Sequence, residues 1–181
     1  MLYAFGFERV GIVVGDLYFI DPDPSPGQDS PERGVRLELR ILERGELTGS
    51  IYAARPITIG RPLWRVDLLQ DANAAPRTFD RTHHHPDFDD WNPSPRVFVD
   101  ELTRDPLAWL SGKLAHPAEL LKATGIAPDD IPAADAEALS AAAPEITDTV
   151  RRLLERVWSG ELARPTGDTP PETTSMRVSW L

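Results

Sequence analysis

Apolar and polar residues alternate strictly along Val35-Arg36-Leu37-Glu38-Leu39-Arg40-Ile41. In an extended chain Val35, Leu37, Leu39 and Ile41 then share one side, and Arg36, Glu38 and Arg40 the other. That period of two predicts a half-buried antiparallel strand. Upstream, RVGIVVGDLYFID reads as two strands folded about Gly15-Asp16, with glycine supplying the positive φ of a type II′ turn. Further strands are expected over 50–54, 57–59 and 63–69. Residues 7–69 therefore predict an antiparallel meander of about five or six strands.

The pattern changes on either side of these runs. Residues 22–34 contain no apolar side chain except proline and read as a surface loop. Residues 70–98 show no periodicity and are rich in Asp, Asn, Pro and His. A loop of roughly 29 residues is long for a compact domain and is characteristically functional or disordered. Helical signals follow. Asp105-Pro106 offers an N-cap with proline at the first helical position, and His116-Pro117 opens a second short helix that ends near Gly125. The clearest helix is expected over 144–160, where Ile146, Val150, Leu153, Leu154, Val157 and Trp158 form one apolar stripe. The fold class is thus α+β: sheet 7–69, loop 70–98 and helices 100–160 in one domain, 1–160. Residues 161–181 form a linker and a C-terminal tail, MRVSWL, that extends as a strand or docks. Leu37, Leu39, Ile41, Val150, Leu154 and Trp158 are expected to be buried together, because a strand face and a helix stripe each need an apolar partner.

Composition adds exclusions. With no cysteine in 181 residues there is no disulfide, no disulfide-linked partner and no thiolate metal site. No run approaches the ~20 apolar residues that span a bilayer, and the N-terminus lacks a basic segment before its first strand. A cytoplasmic protein with no membrane partner is the expectation. Arginine far outnumbers lysine, as in proteins from GC-rich bacterial genomes. The net charge of −10 opposes non-specific binding to nucleic acid. Residues 51–98 are the one segment whose charges balance, and three of the four histidines lie there.

Three of the four histidines are consecutive, in Asp80-Arg81-Thr82-His83-His84-His85-Pro86-Asp87. On an extended backbone His83 and His85 share a face and His84 opposes them. Two imidazoles and a carboxylate suit zinc or another divalent metal. His83 and His85 are the expected nitrogen ligands. Asp80 is the first choice of carboxylate, with Asp67 and then Asp87 behind it. The same parts suit acid–base chemistry, with His83, His84 and His85 as proton carriers and Arg65 and Arg81, alongside Arg77, as cations for a phosphate. A polar loop whose imidazoles merely pair with carboxylates is the third reading. Trp91 is expected to anchor the loop. There is no G-x-S-x-G nucleophile motif and no glycine-rich phosphate loop.

Through WRVDLL and DRTHHHPDF, the stretch GRPLWRVDLLQDANAAPRTFDRTHHHPDFDDWNPSPRVF resembles an uncharacterised family of actinobacterial domains of unknown function. That resemblance covers most of residues 7–110 and implies no activity. The chain also resembles TumE-type toxins of toxin–antitoxin systems, where an aromatic-Arg-x-Asp strand precedes a His-rich segment and a helix. Trp64, Arg65 and Asp67 match the first element, and His83, His84 and His85 the second. This resemblance implies RNA as substrate. A non-enzymatic module, whose acidic helical half binds a partner protein, is the alternative from a different class.

Overall fold

The computed structural model describes residues 1–22, 24, 28–126 and 131–165; the expected tail MRVSWL lies outside them. The fold is α+β. Strands β1 (Leu2–Gly6), β2 (Val10–Phe19), β3 (Glu32–Arg44), β4 (Ile57–Asp71) and β5 (His83–His85) form one antiparallel sheet in chain order. A two-stranded ribbon, β6 (Phe88–Asp89) and β7 (Asn92–Pro93), follows. Helices α1 (Asp100–Arg104), α2 (Pro106–Ala115), α3 (Pro117–Ala123) and α4 (Ala133–Trp158) complete the chain. Among the described residues no helix is long and apolar enough to cross a membrane.

Register decides what each face of the sheet carries. Leu39 lies opposite Ile12 and Trp64, Leu37 opposite Val14 and Val66, and Val35 opposite Leu68. All eight are buried and pack with Leu102, Leu110, Leu114 and the α4 stripe. Full burial of such an aliphatic side chain is worth about 1.5–3 kcal/mol, so this layer dominates stability. Leu37, Leu39, Val150 and Leu154 are buried as expected. Ile41 and Trp158 are only partly so, packing at the margin of the core.

Several local expectations are corrected. No hairpin forms at Gly15-Asp16. β2 runs straight through, with Gly15 between Leu2 and Arg36. The turn lies earlier, where Phe7 N donates to Val10 O at 2.9 Å. The backbone N–H groups of Glu8, Arg9 and Val10 donate to the buried Asp135 carboxylate at 2.7–3.0 Å, which ties this turn to α4. Residues 50–54 form turns, not a strand, and the separate strands expected at 57–59 and 63–69 are one, β4. Its register shifts opposite Leu39-Arg40, where Pro62 sits. Proline lacks the N–H that a regular ladder would need there, so an irregular position accommodates it. β3 begins at Glu32, inside the segment expected to be loop.

Helix α4 starts eleven residues before the expected Pro144, at Ala133. Alanine is the best helix former, and Pro144 is on the exposed side, where water can satisfy the carbonyl it leaves unpaired. The loop 70–98 is not structureless. It supplies β5, which pairs with β4 through Asp67↔His83, Val66↔His84 and Arg65↔His85. Val97 closes the far edge of β5 by exchanging backbone hydrogen bonds with His84, at 3.0 and 2.9 Å.

Candidate metal centre

The face of the sheet away from the helices carries Glu32, Arg36, Glu38 and Arg40 from β3, Arg65 and Asp67 from β4, and His83 and His85 from β5. A half-buried strand should leave these groups to solvent. Instead Glu38, Arg40 and Asp67 are 3%, 2% and 1% exposed. Segment 86–98 lies across them as a strap. The Arg40 guanidinium sits over the Trp91 ring at 5.4 Å and that of Arg65 over Phe88 at 5.0 Å. Trp91 is an anchor in this sense while remaining half exposed.

Charged groups in such a place must be matched. Arg36 grips Asp67 side-on, Nε to Oδ1 at 2.7 Å and Nη2 to Oδ2 at 3.1 Å. Glu38 accepts from Arg65 Nε at 2.9 Å and from Arg40 Nη1 at 3.0 Å. Burial by itself would raise the Asp67 pKa. The Arg36 guanidinium outweighs burial and holds it well below the ordinary carboxylate range.

His83 and His85 meet at Asp67. His83 Nε2 is 3.4 Å and His85 Nε2 3.7 Å from the same oxygen, Oδ2. The three residues are buried, and one ligand atom from each lies within 4.8 Å of the others. Their other ring nitrogens are committed: His83 Nδ1 lies 2.8 Å from the Arg81 carbonyl and His85 Nδ1 2.6 Å from the Ser94 carbonyl. A carbonyl only accepts, so Nδ1 is the protonated nitrogen in each ring. In the neutral imidazole the bare Nε2 lone pair therefore faces the carboxylate. Backbone orientation of Nδ1–H in this way is how metal-ligating histidines are held.

The other expected site residues are placed elsewhere. His84 is on the opposite face, packed on Trp109 at 5.2 Å and Trp64 at 6.4 Å between centroids. Burial, ahead of repulsion from Lys113, lowers its pKa to about 4. It is no partner of its neighbours, because alternation along β5 turns it to the apolar core. Asp80 does not face the imidazoles. Its Oδ1 accepts from Asp71 N at 3.2 Å and Thr78 Oγ1 at 2.8 Å, fixing the loop before β5. Asp67 takes the place given to Asp80 because the register sets it directly opposite His83, whereas Asp80 is used up locally. Asp87 is exposed. Arg81 pairs with Asp71 at 3.6 Å and Asp80 at 3.8 Å, and it reaches the site through its backbone carbonyl. Arg65 is on the right face but holds Glu38, and Arg77 stacks on Trp158. Glu32, Arg36 and Glu38 were not foreseen as site residues. The alternation of β3 assigns them to one face, but only the strand register shows that Arg36 meets Asp67.

No protein-family profile matches the chain, and no solved structure matches it. A stretch of 50 residues, 28% of the chain, is 46% identical to part of a nonribosomal peptide synthetase, dtxS1 of Metarhizium robertsii. The chain spans about 1% of that protein's length.

Proposed function

We propose that this protein binds a divalent transition metal, zinc foremost, through Asp67 Oδ2, His83 Nε2 and His85 Nε2. One observation carries the reading. Two Nε2 lone pairs converge on one carboxylate oxygen at 3.4 and 3.7 Å. Those separations are long for N–H···O bonds, which run about 2.7–3.2 Å. They match donor atoms sharing an ion, since tetrahedral ligands about 2.1 Å from zinc stand roughly 3.4 Å apart. Nitrogen and carboxylate donors without sulfur suit zinc and its borderline neighbours. Three protein ligands leave a position for water or a substrate, the pattern of a catalytic rather than a closed structural zinc site.

Metal-free cleavage of RNA, the acid–base reading of these residues with the substrate that the TumE-type resemblance implies, has less support. It needs a cation free to receive a phosphate beside the imidazoles. Arg36, Arg65 and Arg81 each hold a carboxylate, and the net charge of −10 repels a polyanion. The interaction-module reading draws on the acidic helical half, but Asp148 and Glu155 on α4 are already paired with Arg151. Elemental analysis of the purified, untagged protein, followed by zinc titration of the stripped protein, tests the metal reading. One equivalent of zinc is expected, abolished in the His83→Ala, His85→Ala double variant.

A further inference from the structure

Arg36 grips Asp67 but keeps donors to spare. A guanidinium carries five N–H groups. The side-on grip uses Nε–H and one N–H of Nη2. The other N–H of Nη2 and both of Nη1 make no hydrogen bond among the described residues. Together they form the end-on fork that arginine offers to a phosphate or a carboxylate. That fork starts beside the candidate metal. Nη2 is 3.1 Å from Asp67 Oδ2, so an ion about 2.1 Å from that oxygen lies at most about 5.2 Å from Nη2. An oxyanion with one oxygen on the ion and another on the fork can span that gap. Arg36 is also where water reaches the cluster: 22% of its side chain is exposed, against 1% for Asp67, 2% for His83 and 7% for His85. Gly15, beside it on β2, presents no side chain, and a hollow lined by Gly15, Val13, Leu2 and Arg36 opens there.

The charges around the trio favour an anion. Glu38 accepts from Arg65 and Arg40 at once, and neither arginine makes another ion pair among the described residues. Asp67 and Arg36 answer each other. Three arginines thus face two carboxylates, a surplus of one positive charge in which Arg40, Glu38 and Asp67 are buried. Glu32, at the start of β3, pairs with Arg96 of the strap at 3.4 Å. The imidazoles are neutral ligands, so a divalent ion would raise the local surplus from one to three. Unmatched buried charge is costly. We infer that the open position of the metal takes a phosphate group, with one oxygen on the ion and its neighbours on the end-on fork of Arg36. A phosphate with nearly two negative charges matches this surplus better than a carboxylate with one. The cation that metal-free cleavage lacks is here the metal itself. A small dianion meets the local field of this face, and the acidic surface at large repels it far less than a polyanion. The inference rests on the metal reading above.

Calorimetric titration of inorganic phosphate and of phenyl phosphate into the full-length protein, zinc-loaded and stripped, tests it. The zinc-loaded protein should bind one equivalent, and removal of zinc should weaken binding by about tenfold or more. Arg36→Lys keeps the charge but not the fork, so it should still take up zinc while losing roughly tenfold in phosphate affinity. In the cobalt-loaded parent the phosphorus resonance should broaden, because it sits beside a paramagnetic ion. That measurement carries the test if Arg36→Lys fails to fold. Tighter binding of phenyl phosphate assigns the site to a phosphate monoester, and tighter binding of inorganic phosphate to the free ion; either upholds the inference. Phosphate bound equally with and without zinc, a folded Arg36→Lys variant that matches the parent, or an unbroadened resonance would overturn it. A parent protein that takes up no zinc would defeat the metal reading itself.

Discussion

The two faces of the five-stranded sheet solve the burial problem in different ways. The helix-covered face buries aliphatic and aromatic groups and needs only shape. The strap-covered face buries arginines, carboxylates and histidines, and each must find a partner. β5 shows the contrast within three residues: His84 enters the apolar layer, and His83 and His85 enter the polar one. A regular helix suits the first face because its needs are non-directional. An irregular strap suits the second because its backbone carbonyls, at Ser94 for instance, can be aimed at individual side chains. The lesson is that a charged strand face is not necessarily a solvent face.

The contrast breaks most visibly at Asp67. Asp67→Asn removes the charge that Arg36 grips, and breaking a buried pair costs about 3–5 kcal/mol. Because the folded pKa of Asp67 lies below its ordinary value of 3.8, this contribution is complete above that value. It disappears only as pH falls further, through the lowered folded value. Denaturant titrations should show the parent ahead of Asp67→Asn at pH 7 and 5, with the gap closing only in stronger acid.

On the apolar face Leu154→Ala should cost about 2–5 kcal/mol by the same measurement, with little dependence on pH. A loss near zero would mean that α4 does not seal the core.

The smallest effect is expected at His84, where the faces touch. Its pKa is lowered from 6.5 to about 4, so the unfolded chain binds the proton more tightly. Stability credited to neutral His84 is therefore full above pH 6.5 and declines as pH falls toward 4. With partial exposure screening the effect, the loss is at most about 2 kcal/mol. His84→Phe should flatten this part of the pH profile, and an unchanged slope would show that His84 is freely solvated.

Legibility in the sequence followed the same division. The alternation of β3 and the stripe of α4 announced the apolar layer, because hydrophobic periodicity is imposed by the face a side chain must bury. The shared side of His83 and His85 follows from alternation alone. What escaped was pairing. Nothing in Thr82-His83-His84-His85 has the apolar signature of a strand, yet β4 recruits it as the last strand of the sheet. Gly15 looks like a turn residue but occupies mid-strand, opposite Arg36. Asp67 and Asp80 are equivalent as carboxylates in a sequence, and only register tells them apart. The buried Asp135, which binds three backbone amides, has no local signature either.

The most direct test of the metal centre is calorimetric titration of zinc into the stripped protein, parent beside the His83→Ala, His85→Ala variant. The account predicts one tight equivalent in the parent and none in a variant that still melts cooperatively. Zinc bound equally by both, or by neither, would contradict it.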